Sequence, residues 1–254
     1  MKVKGSAAVI VGGASGMGRA TAEQLVERGA RVAVLDLPAS DGAAVAKELG
    51  AGASFYPCNV TDSDGVETAL AAAVESLGAL HIAINTAGGG VSARTLSKNG
   101  PHPLDAFRSV IELNLIATFN LNRLQAWHMS RNEADDDERG VIVNTSSIAA
   151  FEGQIGQVAY SAAKAGIAGM TLTMARDLGS LGIRVTAVAP SLFATGITSR
   201  IPEKTAGELT RDAAFPLRMG RPDEYAALAL AIVENQMLNG TAIRLDAGQR
   251  FAPK

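Results

Sequence analysis

The run Ala7-Ala8-Val9-Ile10-Val11 leads directly into Gly12-Gly13-Ala14-Ser15-Gly16-Met17-Gly18, and a helical stretch continues through Arg19 to Glu27. Five consecutive apolar residues read as a strand buried on both faces. The glycines permit a tight turn and a close approach of backbone to a ligand. The helix start beyond them offers free N–H groups and the positive end of a dipole. Gly29 ends that helix, and Arg31-Val32-Ala33-Val34-Leu35 is a second strand with Asp36 at its end, 18 residues after Gly18. Strand, glycine turn, helix, strand and acid, in that order, predict a dinucleotide site with the pyrophosphate on the turn. Asp36 is expected to accept both ribose hydroxyls of NAD and to repel the 2′-phosphate of NADP.

Beyond this unit the alternation continues. A helix carries Val45 to Leu49, and Ser54 to Cys58 reads as the third strand. A helix over Asp62 to Leu77 has Thr61 as its cap, and His81 to Asn85 is the fourth strand. Leu104 to about Met129 reads as one long helical stretch. Gly140 to Asn144 is a fifth strand, Ala159 to Leu178 a helix, and Ile183 to Val188 a strand stopped by Pro190. Pro222 opens a late helix, and Ala242 to Leu245 closes as a short strand. Apolar strands alternating with helices predict an α/β fold, a Rossmann-type doubly wound parallel sheet with helices on both faces. With no linker or repeat, residues 1–254 read as a single domain. Two stretches break the rhythm: the polar Gly88–Pro103 and a candidate substrate loop at about 191–215. The run Asp135-Asp136-Asp137-Glu138 lacks the spaced ligands of a calcium loop and reads as solvated surface.

Of the 254 residues, 47% are hydrophobic, which excludes a disordered chain. The 23 Lys and Arg against 25 Asp and Glu leave a net charge of −2, with no basic surplus for nucleic acid. Cys58 is the only cysteine, so a reducing compartment is expected. The N-terminus shows no leader pattern and no apolar run is long enough for a membrane helix, so a cytoplasmic, non-membrane protein is expected. His81, His102 and His128 are scattered, so no metal is expected.

The spacing of Gly12, Gly16 and Gly18 resembles the short-chain dehydrogenase/reductase family, and four further features carry the likeness. Asn85-Thr86-Ala87-Gly88 follows the fourth strand, and Asn114 sits in the next helix. Ser147 and Tyr160 are thirteen apart, and Lys164 follows Tyr160 by four. On a helix that last spacing sets both side chains on one face. A free tyrosine ionises near pH 10, and a neighbouring ammonium favours the phenolate. The resemblance implies Tyr160 as general acid/base, Lys164 as its modulator and a ribose ligand, and Ser147 as the group holding the substrate oxygen. Asn114 is implied to hold a water in a proton relay. It also implies that Gly12, Ser15, Gly16, Met17, Gly18, Asp36, Asn59, Val60, Thr86, Ala87, Gly88, Tyr160, Lys164, Pro190, Phe193 and Thr195 surround NAD.

Four positions depart from the family's usual residues. Val11 lacks the hydroxyl of a common Thr, and Asn59 stands for an Asp that accepts from the adenine amino group, its amide oxygen still able to accept. Thr86 stands for Asn, and Ser191 for Gly. A narrower likeness lies in Asp36-Leu37-Pro38, Ala149 to Gln157, Leu192-Phe193 and Ile243-Arg244-Leu245-Asp246. These stretches resemble the type 2 3-hydroxyacyl-CoA dehydrogenase branch, also known as 17β-hydroxysteroid dehydrogenase type 10. That branch implies a homotetramer and a small-molecule substrate, either a 3-hydroxyacyl-CoA or a steroid. A catalytically idle NAD-sensing or scaffolding protein is the reading of a different class. Leu192, Phe193, Ile197, Ile201 and Phe215 are candidates to cover the substrate. Arg94, Lys98, Arg200 and Lys204 are candidates for the phosphates of CoA, or else are surface charges.

Overall fold

The computed structural model describes residues 1–196, 198 and 202–253. In chain order its strands are β1 (Ala7–Val11), β2 (Arg31–Asp36), β3 (Ala53–Pro57), β4 (Ile82–Asn85), β5 (Leu96–Ser97), β6 (Gly100–Pro101), β7 (Gly140–Thr145), β8 (Ile183–Pro190) and β9 (Ala242–Leu245). The helices are α1 (Gly16–Glu27), α2 (Gly42–Leu49), α3 (Ser63–Leu77), α4 (Leu104–Ile111), α5 (Ala117–Met129), α6 (Val158–Gly179), α7 (Glu203–Thr210) and α8 (Pro222–Glu234). Seven strands form one parallel sheet in the order β3-β2-β1-β4-β7-β8-β9.

The unbroken apolar run of β1 follows from burial on both faces. Ala7, Val9 and Val11 join one core with Leu70 of α3, Leu121 of α5 and Met174 of α6. Ala8 and Ile10 join the other, with Leu25 of α1 and Tyr225 and Leu230 of α8. The chain builds outward from β1 to β3, then returns to place β4 on the opposite side of β1. This reversal leaves a crevice above the carboxyl ends of β1 and β4, where open α/β sheets take their ligands. The sheet, its parallel direction and its two helical layers are those expected from the alternation.

Several boundaries differ. Asp62, not Thr61, caps α3, because the helix begins at Ser63 and the carboxylate Oδ1 accepts from Gly65 N at 3.2 Å. The stretch Leu104–Met129 is interrupted by one wide π turn at Glu112–Ile116, which carries Asn114. β8 runs on to Pro190, paired with Leu245, because a missing N–H at a strand's last residue leaves the ladder behind it intact. The Gly88–Pro103 stretch contains the β5–β6 hairpin, and the 191–215 stretch contains α7. Elements this short show no readable period.

Candidate active site

The glycine turn fills the crevice so tightly that side chains have no room. A Cβ at Gly12, where φ is +78°, would lie 2.7 Å from Ala87 N, and one at Gly18 would lie 2.3 Å from Gly12 O. Ser15 precedes α1 without a side-chain capping bond, and the first turn carries no acidic residue. The amides of that turn therefore keep their capacity for an anion. Thr86 Oγ1 donates to Val11 O (2.9 Å) and Gly12 O (3.1 Å), so the tie absent from position 11 comes from across the crevice. Asp36 accepts from Ala14 N at 2.9 Å through Oδ2 and from Leu37 N at 2.7 Å through Oδ1. Those two amides hold the carboxylate at the rim of the turn.

Two adjoining cavities share Gly12, Ser15, Thr86 and Gly88. One, of about 530 Å³, is lined by Asp36, Leu37, Cys58, Asn59, Val60, Thr61 and Ala87 among others. The other, of about 350 Å³, is lined by Gly16, Met17, Gly18, Ser147, Tyr160, Lys164, Pro190, Phe193 and Thr195, and by Leu192. All sixteen residues expected around the cofactor line one cavity or both. The cradle of glycines, the uncapped helix start and the rim carboxylate fit a dinucleotide. Asn59 lines the first of these cavities. Its Oδ1 already accepts from Thr61 N (3.2 Å) and Thr61 Oγ1 (2.9 Å), so the oxygen expected to receive the adenine amino group is engaged by its own loop. Cys58 beside it is buried, and that burial pushes its thiol up to about 11.

Ser147, Tyr160 and Lys164 meet at the second cavity. Ser147 opens the 3₁₀ turn Ile148–Ala150, and its Oγ accepts from Ala149 N at 3.1 Å, leaving its hydrogen to donate. Lys164 Nζ donates to Thr145 O at 2.9 Å and lies 5.5 Å from the centre of the Tyr160 ring. Burial lowers the Lys164 ammonium to about 8. Burial also raises the Tyr160 phenol above its usual value, opposed by its hydrogen bond with Ser147. Desolvation is the larger of these two influences on the phenol.

Asn114 is fully buried on the π turn. Its Oδ1 accepts from Gly89 N (3.1 Å), while its Nδ2 donates to Gly89 O (2.6 Å) and Val110 O (2.8 Å). Its side chain thus clamps the loop after β4. The main-chain oxygen takes the Thr118 hydroxyl at 2.6 Å.

Sequence reading missed the supports. Asn85 and Asn144, at the ends of β4 and β7, bond to one another at 2.9 Å, and Gln125 and Asn122 of α5 complete a buried amide chain. An Asn at the last position of one strand and the next-to-last of the other was the available signal. Thr145 supplies the Lys164 acceptor through its backbone, and Ser146 Oγ anchors α6 by donating to Lys164 O at 2.7 Å. A backbone acceptor leaves no trace in residue type. Of the substrate-loop candidates, Leu192 and Phe193 line the cavity, whereas Phe215 is 83% exposed. Ile197, Arg200 and Ile201 lie outside the described residues, as does the Lys204 side chain. Arg94 lines a separate cavity of about 550 Å³ with Gly153, Ile155, Ser161 and Pro253, and Lys98 is exposed at the hairpin tip.

A family model described as short chain dehydrogenase matches residues 6–206. Over 254 residues the chain is 52% identical to a Homo sapiens protein and 51% identical to a Bos taurus protein, both named 3-hydroxyacyl-CoA dehydrogenase type-2. Each comparison covers 99% of this chain and 97% of the relative. A crystal structure of 3-hydroxyacyl-CoA dehydrogenase type-2 from Mycobacterium avium matches with a TM-score of 0.94 at 42% identity, covering 100% of both chains.

Proposed function

This chain belongs to the short chain dehydrogenase family, and from that premise we propose that it interconverts 3-hydroxyacyl-CoA and 3-oxoacyl-CoA with NAD. Membership makes it an oxidoreductase, and dehydrogenases of this kind use a nicotinamide cofactor. The observation that carries the substrate is the 52% identity, over nearly the whole chain, to a relative named for that reaction. The choice of NAD rests on the Asp36 carboxylate at the rim of the glycine turn.

Bound in the crevice, the nicotinamide supplies the hydride-accepting carbon. Tyr160 in its phenolate form takes the proton of the substrate hydroxyl and becomes the phenol, and the Ser147 hydroxyl donates to the same substrate oxygen, fixing its direction. Lys164, held by Thr145 O and 5.5 Å from the centre of the Tyr160 ring, favours the ionised form of the phenol whenever it is protonated. The glycine turn and α1 start hold the pyrophosphate, with Thr86 tying the loop after β4 to that turn and Asn114 clamping the same loop at Gly89. Leu192 and Phe193 form an apolar wall for the acyl chain. Arg94 and Lys98 offer cations to the CoA phosphates.

The functional form is a homotetramer in which α5 and α6 pack against copies of themselves. Phe119 and Trp127 on α5 and Leu172 on α6 are 52%, 57% and 46% exposed in a single chain, which leaves an apolar face to cover. No nucleic acid or membrane partner is proposed, and among the described residues no helix is long and apolar enough to cross a membrane. A cytoplasmic location is consistent with the lone buried cysteine.

The test is turnover with purified protein and NADH. Acetoacetyl-CoA is reduced much faster than free acetoacetate, and Arg94→Ala raises KM for the ester with little change for a simple ketone. A steroid oxidised efficiently with NAD while CoA esters stay inert would transfer the assignment to a hydroxysteroid dehydrogenase. No turnover of either, with NAD still bound, would leave an idle NAD sensor.

A further inference from the structure

Two of the stretches that carry the narrower likeness, Ala149–Gln157 and Ile243–Asp246, lie far apart in sequence and meet in space. Arg244 spans the gap with a forked ion pair. Its two terminal nitrogens donate to Glu152 Oε1 and Oε2 at 2.8 and 2.9 Å, and its Nε donates to Asp246 Oδ2 at 2.6 Å. Arg250 adds a second guanidinium, 3.3 Å from Glu152 and 3.0 Å from Asp246. Two cations and two carboxylates thus neutralise one another, with the Arg244, Glu152 and Asp246 side chains only 23%, 24% and 10% exposed. The Arg244 guanidinium also lies 5.3 Å from the centre of the Phe151 ring.

Glu152 sits in the loop joining the two reacting side chains. At one end its N–H donates to Ile148 O at 3.0 Å, within the turn that Ser147 opens. At the other end Gln157 O accepts from Ser161 N at 2.7 Å, in the first turn of the helix that bears Tyr160. Between them Gly153 packs so closely that a Cβ there would lie 2.1 Å from Ser161 Oγ. A shift of this loop therefore reaches both ends.

The chain after β9 holds the loop a second time and reaches the substrate segment as well. Ile155 N donates to Pro253 O at 3.1 Å and Gln154 Nε2 to Ala252 O at 3.2 Å. The buried Gln249 donates to Leu209 O at the end of α7 (2.9 Å), and Ala214 N donates to Ala247 O (2.9 Å). One strap, Asp246–Pro253, fastens the Ser147–Tyr160 loop on one side and the 209–215 segment on the other.

We propose that Arg244 is a positioning residue, which through its fork onto Glu152 sets the distance between the Ser147 hydroxyl and the Tyr160 phenol. This rests on the functional reading above for the roles of Ser147 and Tyr160. None of the four charged side chains lines either cofactor cavity. Loosening the loop therefore acts on proton transfer and leaves cofactor binding alone. A lysine at 244 keeps the charge and loses the planar two-point grip.

The experiment compares Arg244→Lys, Arg244→Ala and Glu152→Gln with the unmodified enzyme, each first checked for an unchanged far-ultraviolet spectrum. Glu152→Gln keeps the shape of its side chain and is the variant that decides if Arg244→Ala does not fold. kcat falls by about 10-fold to 10²-fold, the range for a misplacement of about 1 Å, with Arg244→Lys between the alanine variant and wild type. The Kd for NAD by fluorescence stays within about twofold, well under the factor of 10 that 1.4 kcal/mol makes. The pH–kcat limb governed by Tyr160 moves upward, because the hydrogen bond with Ser147 is what opposes the rise of the phenol. Wild-type kcat and an unmoved limb in folded Glu152→Gln would overturn the proposal. So would a loss of NAD affinity in step with kcat, since that is general damage. If Tyr160→Phe itself retains full activity, the functional reading fails first, and that result is separate from these.

Discussion

Lys164 Nζ donates to the carbonyl oxygen of Thr145 at 2.9 Å, and Thr145 Oγ1 in turn lies 2.7 Å from both Asn85 O and the Tyr225 hydroxyl. A single residue at the end of β7 thus joins the buried lysine of the site to β4 and α8. The lysine is placed by the sheet, and the phenol one helical turn before it is placed by the same helix.

Burial of Lys164 has a consequence for stability. Its folded value of about 8 lies below the ordinary 10.5, so between those pH values the unfolded chain binds more protons. Stability contributed by this group is therefore lowest below about pH 8 and improves as pH rises toward 10.5. Urea unfolding of cofactor-free protein from pH 7 to 10, compared with Lys164→Met, is expected to show the wild type gaining relative to the variant. A constant difference across that range would mean the lysine keeps its proton in the folded state.

Tyr160→Phe removes the proton acceptor without touching the glycine turn. Turnover should fall at least about 10²-fold, the lower end for general acid–base catalysis, while NAD binding persists. Lys164→Ala should damage both, since the lysine is assigned to the phenol and to the ribose. Stopped-flow turnover and fluorescence titration separate the two effects.

Cofactor choice should follow Asp36. kcat/KM with NAD is expected to exceed that with NADP, and Asp36→Ala should narrow the gap. The same variant releases Ala14 N from its 2.9 Å bond, so affinity for both cofactors should also weaken. Equal kcat/KM in the wild type would remove Asp36 from this role.

Thr86→Val tests the tie across the crevice. One neutral hydrogen bond is worth about 0.5–1.5 kcal/mol, so KM for NAD should rise roughly 2–10-fold with kcat nearly unchanged. A matched rise in activity loss with no change in KM would place the effect elsewhere.

Assembly is measured by light scattering. A tetramer is expected, and replacing Trp127 and Phe119 on α5 by charged residues should split it. A single species near 26.1 kDa at micromolar concentration would exclude the packing of α5 and α6 against their copies.

Amino-acid order alone determined the alternation of apolar strands with helices, because burial on both faces leaves an unbroken apolar signature such as Val9-Ile10-Val11. It also carried the site's outline, since a glycine turn, an acid after the second strand and a Tyr–Lys pair four apart are local patterns with local geometry. Tertiary structure decided what is non-local or hidden in the backbone. The hydroxyl tying Val11 and Gly12 comes from Thr86, the acceptor for Lys164 is a main-chain oxygen, and Asn114 holds Gly89 by a π turn with no clear mark in sequence. The height of the Tyr160 phenol was likewise out of reach, because it is set by how much water the folded chain removes around it, and spacing along the chain does not measure that.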